Sequence, residues 1–157
     1  MNISIGKYLP HRPPMLMVDT ITAIDDTSVV TEFFIKENGI FLEKGHLTEA
    51  GLIENMAQTC SAIVGQFFFG INDVSKNVIG YISAIKRADI YELPLASQAI
   101  CTRAKLLSRF DDEQYSLCAM EASVYYQNSL LAEAQMNLFI KEIIQGKRTK
   151  SLTIKVP

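Results

Sequence analysis

Residues 46–67 read HLTEAGLIENMAQTCSAIVGQF, and this stretch decides the fold. Thr48 is a natural N-cap ahead of Glu49, whose charge suits the positive end of a helix that runs to about Phe67. Ala50, Ile53, Ala57, Ser61 and Val64 recur at i, i+3 and i+4 spacing, while Leu52, Met56, Ile63 and Phe67 supply a second apolar face. A helix apolar on most sides needs a sheet wrapped around it.

The flanking sequence supplies that sheet. Met15 to Ala23 and Ser28 to Lys36 read as two antiparallel strands joined at Asp25-Asp26, and Glu37 to Gly45 as loop. The first dozen residues suit a short helical turn ended by His11-Arg12-Pro13-Pro14. Beyond the helix, strand-type alternation covers Val78 to Ala84, Ala88 to Tyr91, Ala96 to Ser108, Glu113 to Gln127 and Ser129 to Ile143. Turns fit at Glu92-Leu93-Pro94, Arg109 to Asp112 and Gln127-Asn128-Ser129. Ala119 to Ala122 and Leu130 to Asn137 also have helix-forming composition, which leaves both open on periodicity alone. One long apolar helix followed by antiparallel strands is an α+β arrangement.

The chain of 157 residues is one domain by length, with a solvated tail expected over residues 146–157. Hydrophobic residues at 48%, charged residues at 20% and a net charge of −2 speak against disorder and against a nucleic-acid surface. Cys60, Cys101 and Cys118 are odd in number, with neither CxxC spacing nor a nearby histidine, so neither a disulfide framework nor a zinc site is expected. A reducing cytoplasm is the default. The N-terminal residues lack the apolar core of a signal peptide, and the stretch from Asn55 to Ile71, with Gln58, Thr59, Ser61 and Gln66, falls short of a membrane span of about 20 apolar residues.

The chemistry concentrates near the helix start. No formal charge lies between Asn55 and Asn72, so Glu54 sits at the rim of a low-dielectric region that favours its protonated form. His46 is one of only two histidines and lies eight residues earlier. An imidazole that titrates near neutrality can take the α-proton of a thioester while a neutral carboxyl protonates a leaving hydroxyl. His46 is thus the candidate base and Glu54 the candidate acid, against the plainer readings of a loop histidine and a solvated or Lys86- or Arg87-paired carboxylate. Gln58, one turn on, can orient Glu54, or simply lie at the core edge. Gly51 can let a ligand approach, with free helix amides to polarise a thioester oxygen. His11, in a proline-rich setting, reads as a structural residue packing the N-terminal segment. Among these residues there is no phosphate loop, metal cluster or serine nucleophile motif, and no cofactor is expected.

Several blocks resemble the hotdog-fold β-hydroxyacyl-acyl carrier protein dehydratases and their relatives in aryl-polyene pathways. Leu9-Pro10-His11-Arg12-Pro13-Pro14-Met15-Leu16-Met17-Val18-Asp19 looks like that family's N-terminal LPHR segment. Gly45-His46 is similar to its GHFPG motif, which carries the catalytic histidine, and Glu54-Asn55-Met56-Ala57-Gln58 to its E-A-M-A-Q, which carries the catalytic acid. Gly80 to Ala88 resembles a family strand, and Pro94 to Gln98 stands in for a P-G-D turn. Leu47-Thr48-Glu49-Ala50 replaces a longer family loop and shortens the interval from histidine to glutamate, which is closer to the aryl-polyene branch.

The resemblance implies a hotdog fold and dehydration of 3-hydroxyacyl thioesters, on acyl carrier protein or coenzyme A, to trans-2-enoyl products without a cofactor. It also implies a histidine that works with the carboxylate of the other subunit. An open strand edge points to a homodimer or higher oligomer. Lys86, Arg87, Arg103 and Lys105 are candidates to meet an acidic carrier, or form a solvated face. Two alternatives stand beside the dehydratase: a hotdog thioesterase, and a non-catalytic subunit paired with a paralogue, to which the shortened segment points.

Overall fold

The computed structural model describes residues 2–68 and 77–143. The expected tail over residues 146–157 lies outside them. The elements are β1 (Ile3–Ser4), a 3-10 turn (Ile5–Lys7), β2 (Thr20–Ile24), β3 (Ser28–Phe34), β4 (Leu42–Glu43), β5 (His46–Leu47), α1 (Glu49–Phe68), β6 (Asn77–Ile90), β7 (Ala99–Asp111), β8 (Tyr115–Tyr126) and β9 (Ser129–Ile143). Seven strands form one antiparallel sheet in the order β1-β2-β3-β7-β8-β9-β6, with β4 and β5 as a separate hairpin. The sheet packs on α1, the hotdog arrangement that the resemblance implies.

The core lies between helix and sheet. Leu52, Met56 and Ile63 of α1 are fully buried with Ile100, Met120, Met136 and Leu138 of the strands. Along β8, and along β7 as far as Leu106, burial alternates residue by residue, so one face meets α1 and the other meets solvent. The two stretches left open on periodicity are strands, because Ala122, Ala132 and Ala134 are small inward residues where the sheet closes on the helix. Phe67, expected on an apolar face, is 48% exposed and packs instead under the Arg109 guanidinium, 4.9 Å from its ring centre.

Three local differences from the sequence reading have physical causes. The expected strand from Met15 starts only at Thr20, because the Met15 and Met17 backbone groups bond to α1 side chains and leave none for a sheet ladder. The expected loop before the helix contains a two-residue hairpin, with Lys44 at φ 48° and Gly45 at φ 76° between Glu43 and His46. Positive φ at both central residues matches the twist of a tight β-hairpin. The expected pair of strands over residues 78–91 is one strand, β6, continued through two register shifts.

Candidate functional site

Residues 8–18 lie as a strap across α1, and three helix residues hold it there. A Cβ at Gly65 would overlap the Tyr8 carbonyl oxygen, so only glycine admits the strap at this height. One turn and more toward the helix start, Gln58 accepts the Met17 N–H at 2.8 Å and donates its amide to the Met15 carbonyl at 2.8 Å. Asn55 donates to the Met17 carbonyl at 2.7 Å, and its own oxygen accepts the Thr102 hydroxyl from β7 at 2.6 Å. Asn55 and Thr102 are wholly buried and Gln58 nearly so, hence each polar group needs the partner it has. The sequence carried one signal for this clamp: two amide side chains in Asn55-Met56-Ala57-Gln58 on an apolar helix, costly to bury unless bonded.

The same Gln58 amide donates to Glu54 Oε1 at 2.8 Å, so Gln58 orients the carboxylate and ties it to the strap. The strap in turn delivers His11, whose Nε2 lies 3.8 Å from the same Oε1. Both side chains are about three-quarters covered, with 25% of His11 and 24% of Glu54 exposed. Burial lowers the His11 pKa below the ordinary imidazole value, against the raising influence of the Glu54 charge and with a further lowering from Arg12. Arg12 turns its guanidinium to the Leu9 and His11 carbonyls, at 2.9 and 2.8 Å.

His46 stands elsewhere in the chain. It pairs with Glu43 across the hairpin and bridges Leu95. Its Nδ1 lies 3.0 Å from the Lys44 carbonyl, which can only accept, so Nδ1 carries the proton there and Nε2 keeps a lone pair in the neutral ring. With Thr48, Glu49 and Leu95 it lines an open cavity of about 570 Å³ beside the helix N-terminus. Within one chain the described residues hold no ion pair between His46 and Glu54; the imidazole that meets Glu54 is that of His11.

Thr48 caps the helix through its hydroxyl, which accepts the Gly51 N–H at 3.3 Å. At Gly51 the close approach is made by the protein itself. A Cβ there would lie 2.5 Å from Leu47 Cδ1 and 2.9 Å from Phe41 Cβ, so glycine lets the hairpin close on the first turn.

The basic residues are largely engaged. Arg87 pairs with Asp89 at 2.5 Å, Arg103 lies 5.1 Å over the Tyr125 ring, and Lys105 faces Glu121 across the β7–β8 ladder. Among the described residues no group of three His, Cys, Asp or Glu is placed to hold a metal, and no helix is long and apolar enough to cross a membrane. Cys60 and Cys118 are buried, and burial pushes their thiols up to about 12 and about 11.

Against known proteins, residues 3–148 match the model of the ApeP-like family, described as ApeP dehydratase. The chain is 40% identical over 68 residues to a 3-hydroxyacyl-[acyl-carrier-protein] dehydratase FabZ of Janthinobacterium, covering 38% of this chain and 42% of the relative. It is 44% identical over 46 residues to the FabZ of Acinetobacter baumannii, covering 29% of this chain and 31% of the relative. The chain thus spans less than half the length of these curated relatives. Among solved structures it is similar to the dehydratase heterocomplex ApeI:P from Xenorhabdus doucetiae, with a TM-score of 0.74 at 19% identity over 91% of this chain and 93% of that one. The last likeness supports the hotdog fold, and the family model, which spans nearly the whole chain, shows that this protein belongs to the ApeP-like dehydratase family.

Proposed function

We propose that this protein dehydrates 3-hydroxyacyl thioesters to trans-2-enoyl thioesters, with Glu54 as general acid and His46 as general base. The observation that carries the reading is the fixed carboxylate: Glu54 projects from the central helix of a dehydratase-family fold, one oxygen held by Gln58, at the partly exposed rim of an apolar core. His46 is built to accept a proton, since the Lys44 carbonyl fixes the tautomer that leaves Nε2 free. Because it lies off the Glu54 site within one chain, His46 serves the Glu54 of a second subunit. Gln58 orients the acid. Gly51 shapes the helix entrance, where the substrate's thioester would lie beside backbone amides.

The assembly is a dimer or larger, with a second copy or a paralogue as the other subunit. Support comes from β6, an edge strand bonded only to β9 among the described residues, whose Tyr81 and Ile85 are large and about half exposed. A relative solved as a two-protein complex favours the paralogue. The acyl group is carried by acyl carrier protein or coenzyme A, and the three free cysteines suit a reducing cytoplasm.

The test is an assay of the purified protein, alone and with its paralogue, on 3-hydroxyacyl and saturated acyl thioesters of both carriers. Loss of water from the 3-hydroxyacyl substrate is the expected result. Release of free acid would replace the reading with a thioesterase, and activity that resides wholly in the paralogue would make this chain a supporting subunit.

A further inference from the structure

We infer that His11 is a positioning residue for Glu54: its Nε2 stands 3.8 Å from Oε1, the oxygen Gln58 already holds, so that two neutral donors receive the negative charge when Glu54 gives up its proton. The inference rests on the reading of Glu54 as the acid and extends it to a residue whose sequence context suggested only packing.

The geometry is specific. Both protein donors converge on Oε1, at 2.8 Å from Gln58 and 3.8 Å from His11, and Oε2 has no protein hydrogen bond among the described residues. The transferable proton therefore belongs on Oε2. In the elimination the C2–H proton passes to the base and its electron pair becomes the C2=C3 double bond. The C3–O bond breaks, its electrons stay with oxygen, and that oxygen takes the Oε2 proton and leaves as water. Glu54 becomes a carboxylate in the same step. A donor 3.8 Å away is loosely engaged before reaction and tightens as charge develops, which stabilises the transition state more than the ground state.

His11 is suited to this work as a neutral ring. Its Nδ1 is buried with no hydrogen-bond partner among the described residues, so the Nε2–H tautomer leaves only a lone pair unmet there, whereas the imidazolium would bury an unpaired N–H as well as a charge. Two charged groups face it: Glu54 from α1, which favours protonation, and Arg12 from the strap, which opposes it. Burial opposes protonation too, and it outweighs the Glu54 charge. Strap and acid are one unit, because the helix residue that orients Glu54 also bonds the backbone at Met15 and Met17, a few residues beyond His11.

The test compares His11→Leu with His11→Gln, whose amide nitrogen reaches about where Nε2 stands, in whichever preparation dehydrates the substrate. His11→Leu should lower kcat by about tenfold to a hundredfold with KM nearly unchanged, and His11→Gln should recover most of the loss. A readout independent of turnover is the imidazole titration of His11 by NMR. Its midpoint should fall further in Glu54→Gln, where the carboxylate that raises it is gone. Wild-type kcat in His11→Leu, equal impairment of both His11 variants, or an unmoved imidazole midpoint in Glu54→Gln would each overturn the inference. Undiminished dehydration by Glu54→Gln would instead overturn the reading of Glu54 itself.

Discussion

The Gln58 side chain joins two things that the sequence separates by about 40 residues: its amide nitrogen donates to Glu54 Oε1 on the next turn of the helix and to the Met15 carbonyl of the strap, each at 2.8 Å. Acid and strap are thereby fixed by one residue. Gln58→Leu keeps similar bulk but strands the Met17 N–H and the Met15 carbonyl. With these groups left unpaired, the expected loss of stability is about 2–4 kcal/mol, read as a lower denaturant midpoint at unchanged slope.

Gly65 tests the strap from the other end. Alanine there must displace the Tyr8 carbonyl, a backbone atom that cannot rotate away. Gly65→Ala should destabilise by about 1–3 kcal/mol despite the better helix propensity of alanine, and it should shift the NMR signals of His11. A stabilised Gly65→Ala protein with an unchanged His11 environment would show that the strap does not rest there.

The pH dependence of stability has a defined sign. A histidine whose folded pKa lies below its unfolded value binds fewer protons in the native state, so stability rises with pH between the folded value and about 6.5. His11 therefore makes the fold less stable as pH falls through that range. Asp25, lowered to about 2 by hydrogen bonds from the Ser28 side chain and the Thr27 and Ser28 backbone, acts in the same direction but only at far lower pH. Melting temperatures of wild type and His11→Gln, compared from about pH 7 to 5, should diverge, with the wild type losing more on acidification.

The helix and its consequence, a surrounding antiparallel sheet, were legible because apolar spacing over three or more turns is a local signal; the expected bounds of 48–67 and observed Glu49–Phe68 differ by one residue. Strands β7, β8 and β9 followed from alternation in the same way. What local pattern could not carry was any feature whose partner is distant in sequence. Met15 to Asp19 has strand-like composition, yet the Met15 carbonyl and both Met17 backbone groups answer to Asn55 and Gln58. His11 reads as structural from its proline-rich setting; its neighbour Glu54, about 40 residues on, is brought to it only by the strap. The hairpin that holds His46 depends on Lys44 in a left-handed conformation, which non-glycine residues seldom signal.

The thiols offer a check on packing. Burial holds Cys60 and Cys118 in the thiol form, at about 12 and about 11, while Cys101 is half-buried. Only thiolates react with disulfide reagents at an appreciable rate. Native protein at mildly alkaline pH should label at Cys101 first, with Cys60 and Cys118 labelled only at the rate of opening or unfolding, as mass mapping of the modified peptides would report.

The division of the site between subunits makes the most demanding prediction. If His46 of one subunit serves the Glu54 of another, His46→Ala and Glu54→Gln should each lower the rate of dehydration by about 10² to 10⁴, the usual scale for a general acid or base. Each variant should remain folded, since His46 lies on a partly exposed hairpin and Gln is nearly isosteric with Glu. In a homodimer, mixing the two inactive proteins under conditions of subunit exchange lets half the dimers carry one intact site, so activity should return to about a quarter of wild type. In a heteromer with a paralogue, the same mixing restores nothing, and only the paralogue bearing the complementary group will rescue each variant. Activity in His46→Ala equal to wild type would remove the histidine from the mechanism, because the Lys44 carbonyl that prepares its Nε2 as a base would then prepare it for no proton.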